Sequence, residues 1–150
     1  MVKHLDESEF PELLDHIGIR LWRTAQLWKS EFEAGMVAMG HGWFTHARAN
    51  LIACMDRKGT RQGDLTQRSG LTKQAVQQFV DELVAYGIVE RVADPADGRA
   101  RIVVFTDRGR NVLADANVVK RRIEAEFRKR LGAKRLQQLV QTLGMLEKGR

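Results

Sequence analysis

The chain has 150 residues, of which 43% are hydrophobic and 29% charged, which suffices for one domain with its own core. The low glycine and proline content excludes a disordered or fibrous protein, and the single cysteine, Cys54, excludes a disulfide framework and a multi-cysteine zinc site. No apolar run approaches the roughly 18 to 20 residues that span a bilayer, and the acidic N-terminus lacks the apolar centre of a secretory signal. We therefore expect a cytoplasmic protein without a membrane partner.

Positive charge is concentrated in one segment near the C-terminus. The net charge of +6 favours a polyanionic partner, but residues 111–135 hold 8 basic and 3 acidic side chains, whereas residues 1–60 and 61–110 are each balanced to within one charge. The total charge is therefore only weak support for nucleic-acid binding. Whether the protein binds nucleic acid has to be judged from the order of the predicted elements.

The first half of the chain predicts two helices. Apolar residues recur at three- and four-residue steps from Glu9 to about Met36, which indicates a long amphipathic helix. Gly40 and Gly42 interrupt that pattern, and Thr45 predicts the N-cap of a second helix that ends before "DRKGT".

Two further helices follow across a very short turn. Thr60 predicts the N-cap of a short helix "RQGDLTQRSG", and Thr72 predicts the N-cap of the next, "KQAVQQFVDELVAYG". That helix ends at Gly87, where a left-handed residue is expected. Its predicted apolar side is formed by Val76, Phe79, Val80, Leu83 and Val84.

The last part of the chain predicts a hairpin and a long helical region. The β-rich runs "IVERV" and "RIVVF" flank the turn from Asp94 to Gly98, which indicates a hairpin. Thr106 then predicts the N-cap of a helical region with two apolar stripes divided at Gly132. The stripes consist of Val112, Ala116, Val119, Ile123, Phe127 and Leu131, and of Leu136, Leu139, Val140, Leu143 and Leu146. The fold class is mainly α with a small β-hairpin.

A helix, a tight turn, a second helix and a hairpin together predict a winged helix-turn-helix. Steps of 100° per residue place Gln74 and Gln78 opposite the apolar stripe of the second helix, with Lys73 and Gln77 beside them. Glutamine offers a donor and an acceptor to a base edge, while lysine and the Thr72 hydroxyl suit phosphate or guanine. A merely solvated face is the alternative, and the position directly after the turn favours DNA binding.

The hairpin carries two arginines on one strand. Arg99 and Arg101 are two residues apart and therefore point to the same face, and the tip can bring Arg99 into a minor groove. Asp97 is close enough to pair with Arg99 and restrict its rotamers. We expect Arg101 to contact phosphate or to brace the hairpin. A surface hairpin with a weak ion pair is the alternative.

The run from Gln62 to Leu113, above all "DPADGRA" followed by "FTDRG", resembles the MarR family of bacterial and archaeal transcription regulators. The order of the flanking helices extends the resemblance over nearly the whole chain. Phe105 stands where the family commonly has Leu, and Thr66-Gln67 stand where Ala-Glu is usual; both departures are structural and leave the function intact.

The resemblance implies a homodimeric winged helix-turn-helix protein forming one domain. Residues 45–108 would form the winged unit, and helices over about 8–38 and 107–148 would interlock around a two-fold axis. Arg99 would be the minor-groove arginine, and the expected target is a pseudo-palindromic duplex with half-sites about one helical turn apart. The implied major-groove residues are Thr72, Lys73, Gln74, Gln77 and Gln78.

MarR-like regulators are often released from DNA by a small aromatic or phenolic ligand, bound between the dimer helices and the winged unit. The resemblance therefore implies a repressor with such an effector, although a regulator without one, or an activator, stays open. Aromatic and basic residues early in the chain suit such a ligand, and the alternative places the tryptophans in the dimer core. The proposed lining is Trp22, Trp28, Trp43, Phe44, His46 and Arg48.

Other functions have weaker support. Cys54 in the apolar "LIACM" predicts a buried structural thiol rather than a redox sensor. No pair of histidines has the spacing of a helical metal site, so we expect neither a metal nor another cofactor. Without a phosphate-binding glycine loop, a nucleophile elbow or paired carboxylates, the sequence does not predict an enzyme. A winged helix used for protein contact would need an apolar or acidic recognition face.

Overall fold

The protein is described by a computed structural model in which residues 14–148 are placed. These residues form six helices and a three-stranded antiparallel sheet with strand order β1-β3-β2. In chain order the elements are α1 (Ile17–Ala38), α2 (His46–Ala53), β1 (Thr60–Arg61), α3 (Gln62–Ser69), α4 (Lys73–Ala85), β2 (Val89–Asp94), β3 (Asp97–Phe105), α5 (Asp107–Leu131) and α6 (Ala133–Glu147).

The first helix begins later than the sequence predicts. Its N-cap is His16, whose extended backbone ends the preceding segment and whose Nδ1 accepts a hydrogen bond from the Gly18 amide at 3.1 Å. The helix predicted from Glu9 onward is therefore wrong over residues 14–16. The part of that prediction from Glu9 to residue 13 lies outside the described residues. Thr45 is the N-cap of α2, as predicted.

The segment before α3 is a strand and not a cap. Thr60 pairs with Val103 of β3, and its buried hydroxyl accepts a hydrogen bond from the Asp56 amide at 2.8 Å. The N-cap of α3 is Arg61. The predicted cap at Thr60 is wrong because β3 has an open edge that the two residues of β1 fill. The predicted two-stranded hairpin is thereby part of a three-stranded sheet.

The helix-turn-helix and its caps agree with the sequence. Gly70 ends α3 with a left-handed φ of 68°, and the Thr72 hydroxyl caps α4 by accepting from the Ala75 amide at 3.1 Å. Gly87 has the predicted left-handed φ, at 71°. Val84 is exposed, contrary to prediction, because it lies at the edge of the apolar stripe. The fully buried residues of α4 are Val76, Val80 and Leu83.

The N-terminus of α5 is docked on the turn between α4 and β2. The Thr106 hydroxyl accepts from the Gly109 amide at 3.0 Å and donates to the Gly87 carbonyl at 2.6 Å, and the Thr106 amide donates to the Ile88 carbonyl at 3.1 Å. A Cβ on Gly109 would lie 2.1 Å from the Ile88 oxygen. The sequence "FTDRG" therefore combines a helix cap with a close approach that requires glycine.

The core joins α5 to α1 and to the winged unit. Gly35 of α1 lies against Val119 of α5, and the apolar stripe of α5 is buried through Ile123. The second stripe is not buried by residues 14–148, since among the residues of α6 only Leu136 is inaccessible. No helix within residues 14–148 combines the length and apolarity needed to cross a bilayer. The large exposed apolar residues of α1, α5 and α6 are Ile17, Leu21, Trp22, Leu27, Val37, Val118, Leu131, Leu139, Val140, Met145 and Leu146.

Substitution of Gly109 by alanine is expected to destabilise the protein by about 1–3 kcal/mol, because the added methyl group meets a backbone carbonyl that cannot turn away. Chemical denaturation measures the loss. Gly63→Ala in α3 is the matched control: its Cβ meets no atom within 4 Å, so its free energy of unfolding should stay the same or rise by up to about 1 kcal/mol. Equal stability of Gly109→Ala and Gly63→Ala would contradict the assigned contact.

Candidate nucleic-acid interface and adjoining cleft

The predicted major-groove residues share one exposed face at the N-terminal end of α4. This face, here called the recognition face, is formed by Thr72, Lys73, Gln74, Gln77 and Gln78, all of which are exposed. The Thr72 hydroxyl accepts the capping hydrogen bond, which leaves its hydrogen free to donate outward. Lys73 and Gln74 have no side-chain partner within the described residues.

Gln77 is held at both ends of its amide group. Its Nε2 donates to both carboxylate oxygens of Asp81 at 3.0 Å, and its Oε1 accepts from the side-chain Nε2 of Gln62. Arg91 of β2 donates to Asp81 at 2.6 Å. The hydrogen bond from Gln77, and then that from Arg91, lower the pKa of Asp81.

Gln78 is held at one end only. Its Nε2 donates to Oε1 of Glu82 at 3.1 Å, while the Nε and Nη2 groups of Arg48 both lie 2.7 Å from Oε2 of Glu82. Arg48 also donates from Nη1 to the Trp43 carbonyl at 2.6 Å. The hydrogen bonds from Gln78 and then Arg48 lower the pKa of Glu82. Neither carboxylate was predicted from the sequence, although the four-residue spacing of each from a glutamine could have indicated them.

The hairpin places Arg99 and Arg101 on one exposed face of β3, as their spacing predicts, with the half-buried Ala100 between them. The predicted ion pair between Asp97 and Arg99 is wrong. Oδ1 of Asp97 accepts instead from the backbone amide of Arg99 at 3.1 Å, because a short aspartate side chain reaches the amide two residues on more readily than the guanidinium.

The base of the hairpin is braced by Asp94 and Arg61. Asp94 is buried, and its Oδ1 accepts from the Ala96 amide at 2.8 Å. Arg61 of β1 donates to Oδ2 of Asp94 from Nε at 2.7 Å and from Nη2 at 2.6 Å. The Ala96 amide and then Arg61 lower the pKa of Asp94. The bracing that we predicted as one role of Arg101 is thus performed by Arg61, a residue that the sequence analysis did not single out.

A cleft of about 530 Å³ lies between α1, α2 and α5. Three residues of the predicted effector lining, Trp28, Phe44 and His46, contribute to its wall. Two lysines add positive charge, and Nζ of Lys120 lies 5.7 Å from the centre of the Phe32 ring. The Nδ1 atom of His46 is buried and lacks a hydrogen-bond partner. The aromatic and basic residues of its wall include Trp28, Lys29, Phe32, Phe44, His46 and Lys120.

The other predicted lining residues do not reach this cleft. Trp22 is exposed on α1, and Trp43 is buried and stacked on Tyr86 with ring centres 5.6 Å apart. Arg48 is engaged by Glu82, so its charge is not directed into the cleft. The sequence could not separate these residues because aromatic side chains on neighbouring elements suit both a core and a ligand wall.

Cys54 lies at the end of α2 and is half-buried against the core. The predicted full burial of its thiol is therefore wrong, because the end of a helix leaves one side of the residue open. Within residues 14–148, no three histidine, cysteine or acidic residues converge on a point that could hold a metal ion.

Known proteins share this arrangement in sequence and in fold. The sequence model described as "MarR family" matches residues 46–100, which span α2 to the wing. The transcriptional regulator HosA of Escherichia coli O157:H7 is 32% identical over 93 residues, covering 62% of this chain and 69% of HosA. The chain belongs to the MarR family. It is accordingly a transcriptional regulator with a winged helix-turn-helix DNA-binding fold.

Two solved structures with similar folds contain ligands. CouR from Rhodococcus jostii RHA1, bound to p-coumaroyl-CoA, has a TM-score of 0.69 and 22% identity, and the match covers 91% of this chain and 94% of CouR. The Mycobacterium tuberculosis MarR family protein RV2887, in complex with p-aminosalicylic acid, has a TM-score of 0.68 and 22% identity over 88% of this chain and 98% of RV2887. At this level of identity the two structures show that the fold is shared over about nine tenths of the chain.

The brace at Asp94 predicts acid sensitivity of the wing. A carboxylate with a lowered folded pKa stabilises the fold above its unfolded pKa, here near 3.8, and loses that contribution as the pH falls through the lower folded value. The hydrogen-exchange protection factor and the NMR shift of the Ala96 amide should therefore be constant above about pH 4 and change below it. Asp94→Asn should remove the transition and lower protection at neutral pH. An unchanged titration in this variant would contradict the brace.

Proposed function

We propose that the protein binds duplex DNA as a homodimer, represses transcription from a pseudo-palindromic operator, and is released by a small aromatic or phenolic effector. The observation that carries the DNA-binding part is the exposed recognition face directly after the turn of the helix-turn-helix, beside a wing that presents Arg99 and Arg101. The face combines lysine with glutamines and contains no acidic or large apolar residue, which disfavours a winged helix used for protein contact.

The homodimer is supported by apolar surface that the described part of a single chain leaves uncovered. Trp22 on α1 is 59% exposed, and Val140 and Leu146 on α6 are 61% and 59% exposed. Monomeric proteins rarely expose so many large apolar residues, and a second copy could cover them by a two-fold contact. The basic side chains of residues 120–135 would then lie on the outer face of the dimer helices, where they would attract DNA at long range.

The effector is supported by the position and chemistry of the cleft. Its walls come from α1 and α5 on one side and from α2 of the winged unit on the other, so a bound ligand would contact both parts of the fold. Trp28, Phe32 and Phe44 suit an aromatic ring, and Lys29 and Lys120 suit an anionic group on it. CouR and RV2887, which share the fold, hold aromatic ligands.

Duplexes selected from a random library by the full-length protein should contain two half-sites about 10 base pairs apart. Gln74→Ala should reduce base discrimination at one position of each half-site by about 1–3 kcal/mol. Arg99→Ala should weaken binding to all duplexes and lower the salt slope by about 1. Both are measured as dissociation constants over a range of salt concentrations.

Arg121→Ala is the matched control for Arg99→Ala. It removes the same charge from an exposed position on α5, about 20 Å along the helix from its first turn. Its effect on affinity should be small beside that of Arg99→Ala. Equal losses in the two variants would show that total charge, and not the wing, accounts for binding, and selection of no preferred sequence would contradict the proposed function.

Salicylate is expected to quench the fluorescence of Trp28 and to release the selected duplex, because its ring and carboxylate match the aromatic and basic walls of the cleft. Lys120→Met should weaken salicylate binding about tenfold, or 1.4 kcal/mol, and leave binding of the uncharged salicylamide unchanged. Lys134→Met, on exposed α6, is the control. If both salicylate and p-coumarate leave the fluorescence and the DNA binding unaffected, the proposal of an aromatic acid as effector is contradicted.

A further inference from the structure

The glutamines of the recognition face differ in the freedom of their amide groups. Gln77 has its oxygen and its nitrogen engaged by Gln62 and Asp81, and so has little left to offer a base. Gln78 uses one N–H toward Glu82, and its oxygen and second N–H have no partner within residues 14–148. Gln78 is therefore both oriented and available.

The orientation of Gln78 follows from the chemistry of its partner. An ionised carboxylate only accepts hydrogen bonds, so the amide nitrogen of Gln78 must face Glu82 and the amide oxygen must face away. The lowered pKa of Glu82 keeps it ionised at neutral pH. A free glutamine would present either end of its amide, because oxygen and nitrogen are nearly equal in size.

The position of Glu82 is set from outside its own helix. Arg48 of α2 donates to Oε2 of Glu82 from two nitrogens, and the third donor of Arg48 is fixed on the Trp43 carbonyl. A guanidinium whose three nitrogens all make hydrogen bonds has little rotational freedom, so the carboxylate to which it donates is also fixed. The contact that orients Gln78 is therefore part of the fold and not a mobile surface pair.

We propose that Glu82, held by Arg48, is a positioning residue that determines which base Gln78 recognises. With its oxygen and one N–H directed outward, Gln78 matches adenine, whose N6 amino group donates and whose N7 accepts in the major groove. Guanine and thymine present a carbonyl where the amide oxygen needs a donor, so they are disfavoured on the contacted strand. Gln77 braces the helix and reads no base. The inference rests on the proposed DNA-binding function and specifies one of its contacts.

The test compares E82Q with the wild-type protein on the duplex that the wild type selects. Gln78→Ala first identifies the base pair that Gln78 contacts, as the position at which discrimination is lost. All four base pairs are then placed there and dissociation constants are measured. The wild type should prefer adenine, and E82Q should lose about 5- to 150-fold of that preference at this position alone, because Arg48 retains the oxygen of the new amide, whose NH2 group then faces Gln78 and leaves the Gln78 nitrogen without its acceptor.

Two controls separate positioning from charge and from general disruption. E90Q removes an equal charge from an exposed site on β2 and should keep the wild-type preference while changing affinity for all duplexes alike. In the double variant Q78A/E82Q, the second substitution should add nothing to the first, because Glu82 acts through Gln78. If E82Q does not fold, R48K, which keeps the carboxylate but removes the two hydrogen bonds that fix it, should reduce the preference at the same position and at no other.

Each remaining outcome is decisive. An E82Q protein with wild-type base preference, or with equal losses at every position, overturns the positioning role while leaving the proposed function intact. Additive effects in Q78A/E82Q overturn it as well. A wild-type protein that selects no sequence at all overturns the proposed function and this inference together.

Discussion

The structure depends on the contact between the first turn of α5 and the turn that follows α4. Thr106 caps α5 and at the same time holds the Gly87 carbonyl, and Gly109 lets the helix backbone approach Ile88 more closely than any side chain would permit. Since α4 ends and β3 finishes at this point, one small contact fixes the recognition helix, the wing and the long helix relative to one another.

Local signals made most of the fold predictable from the sequence. The caps at Thr72 and Thr106, the left-handed Gly87 and the hairpin turn each depend on residues within a few positions, so they can be recognised without the tertiary structure. The order of these elements then leads to the winged helix-turn-helix, and the recognition face follows from helical periodicity alone. The alternation of side chains along a strand likewise placed Arg99 and Arg101 on one side of the wing.

Features that depend on distant partners were not predictable. Thr60 joins a strand that lies far along the chain, and Arg61 meets Asp94 only because that strand pairs as it does. Periodicity predicted the apolar face of α6 but not how far it is buried, since little within residues 14–148 covers it. The neighbours of Arg48 in the sequence predicted that it lines the cleft. Its guanidinium instead pairs with Glu82, 34 positions later.

Arg48 also connects α2 at the wall of the cleft with Glu82 on α4. Its side chain spans from the Trp43 carbonyl to Glu82, while the residues on either side of it in α2, Ala47 and Ala49, line the cleft. A substitution in α2 that reshapes the cleft for a new molecule also displaces the arginine. Under the proposed function, substitutions in α2 would therefore alter ligand binding in the cleft and the position of Glu82 together.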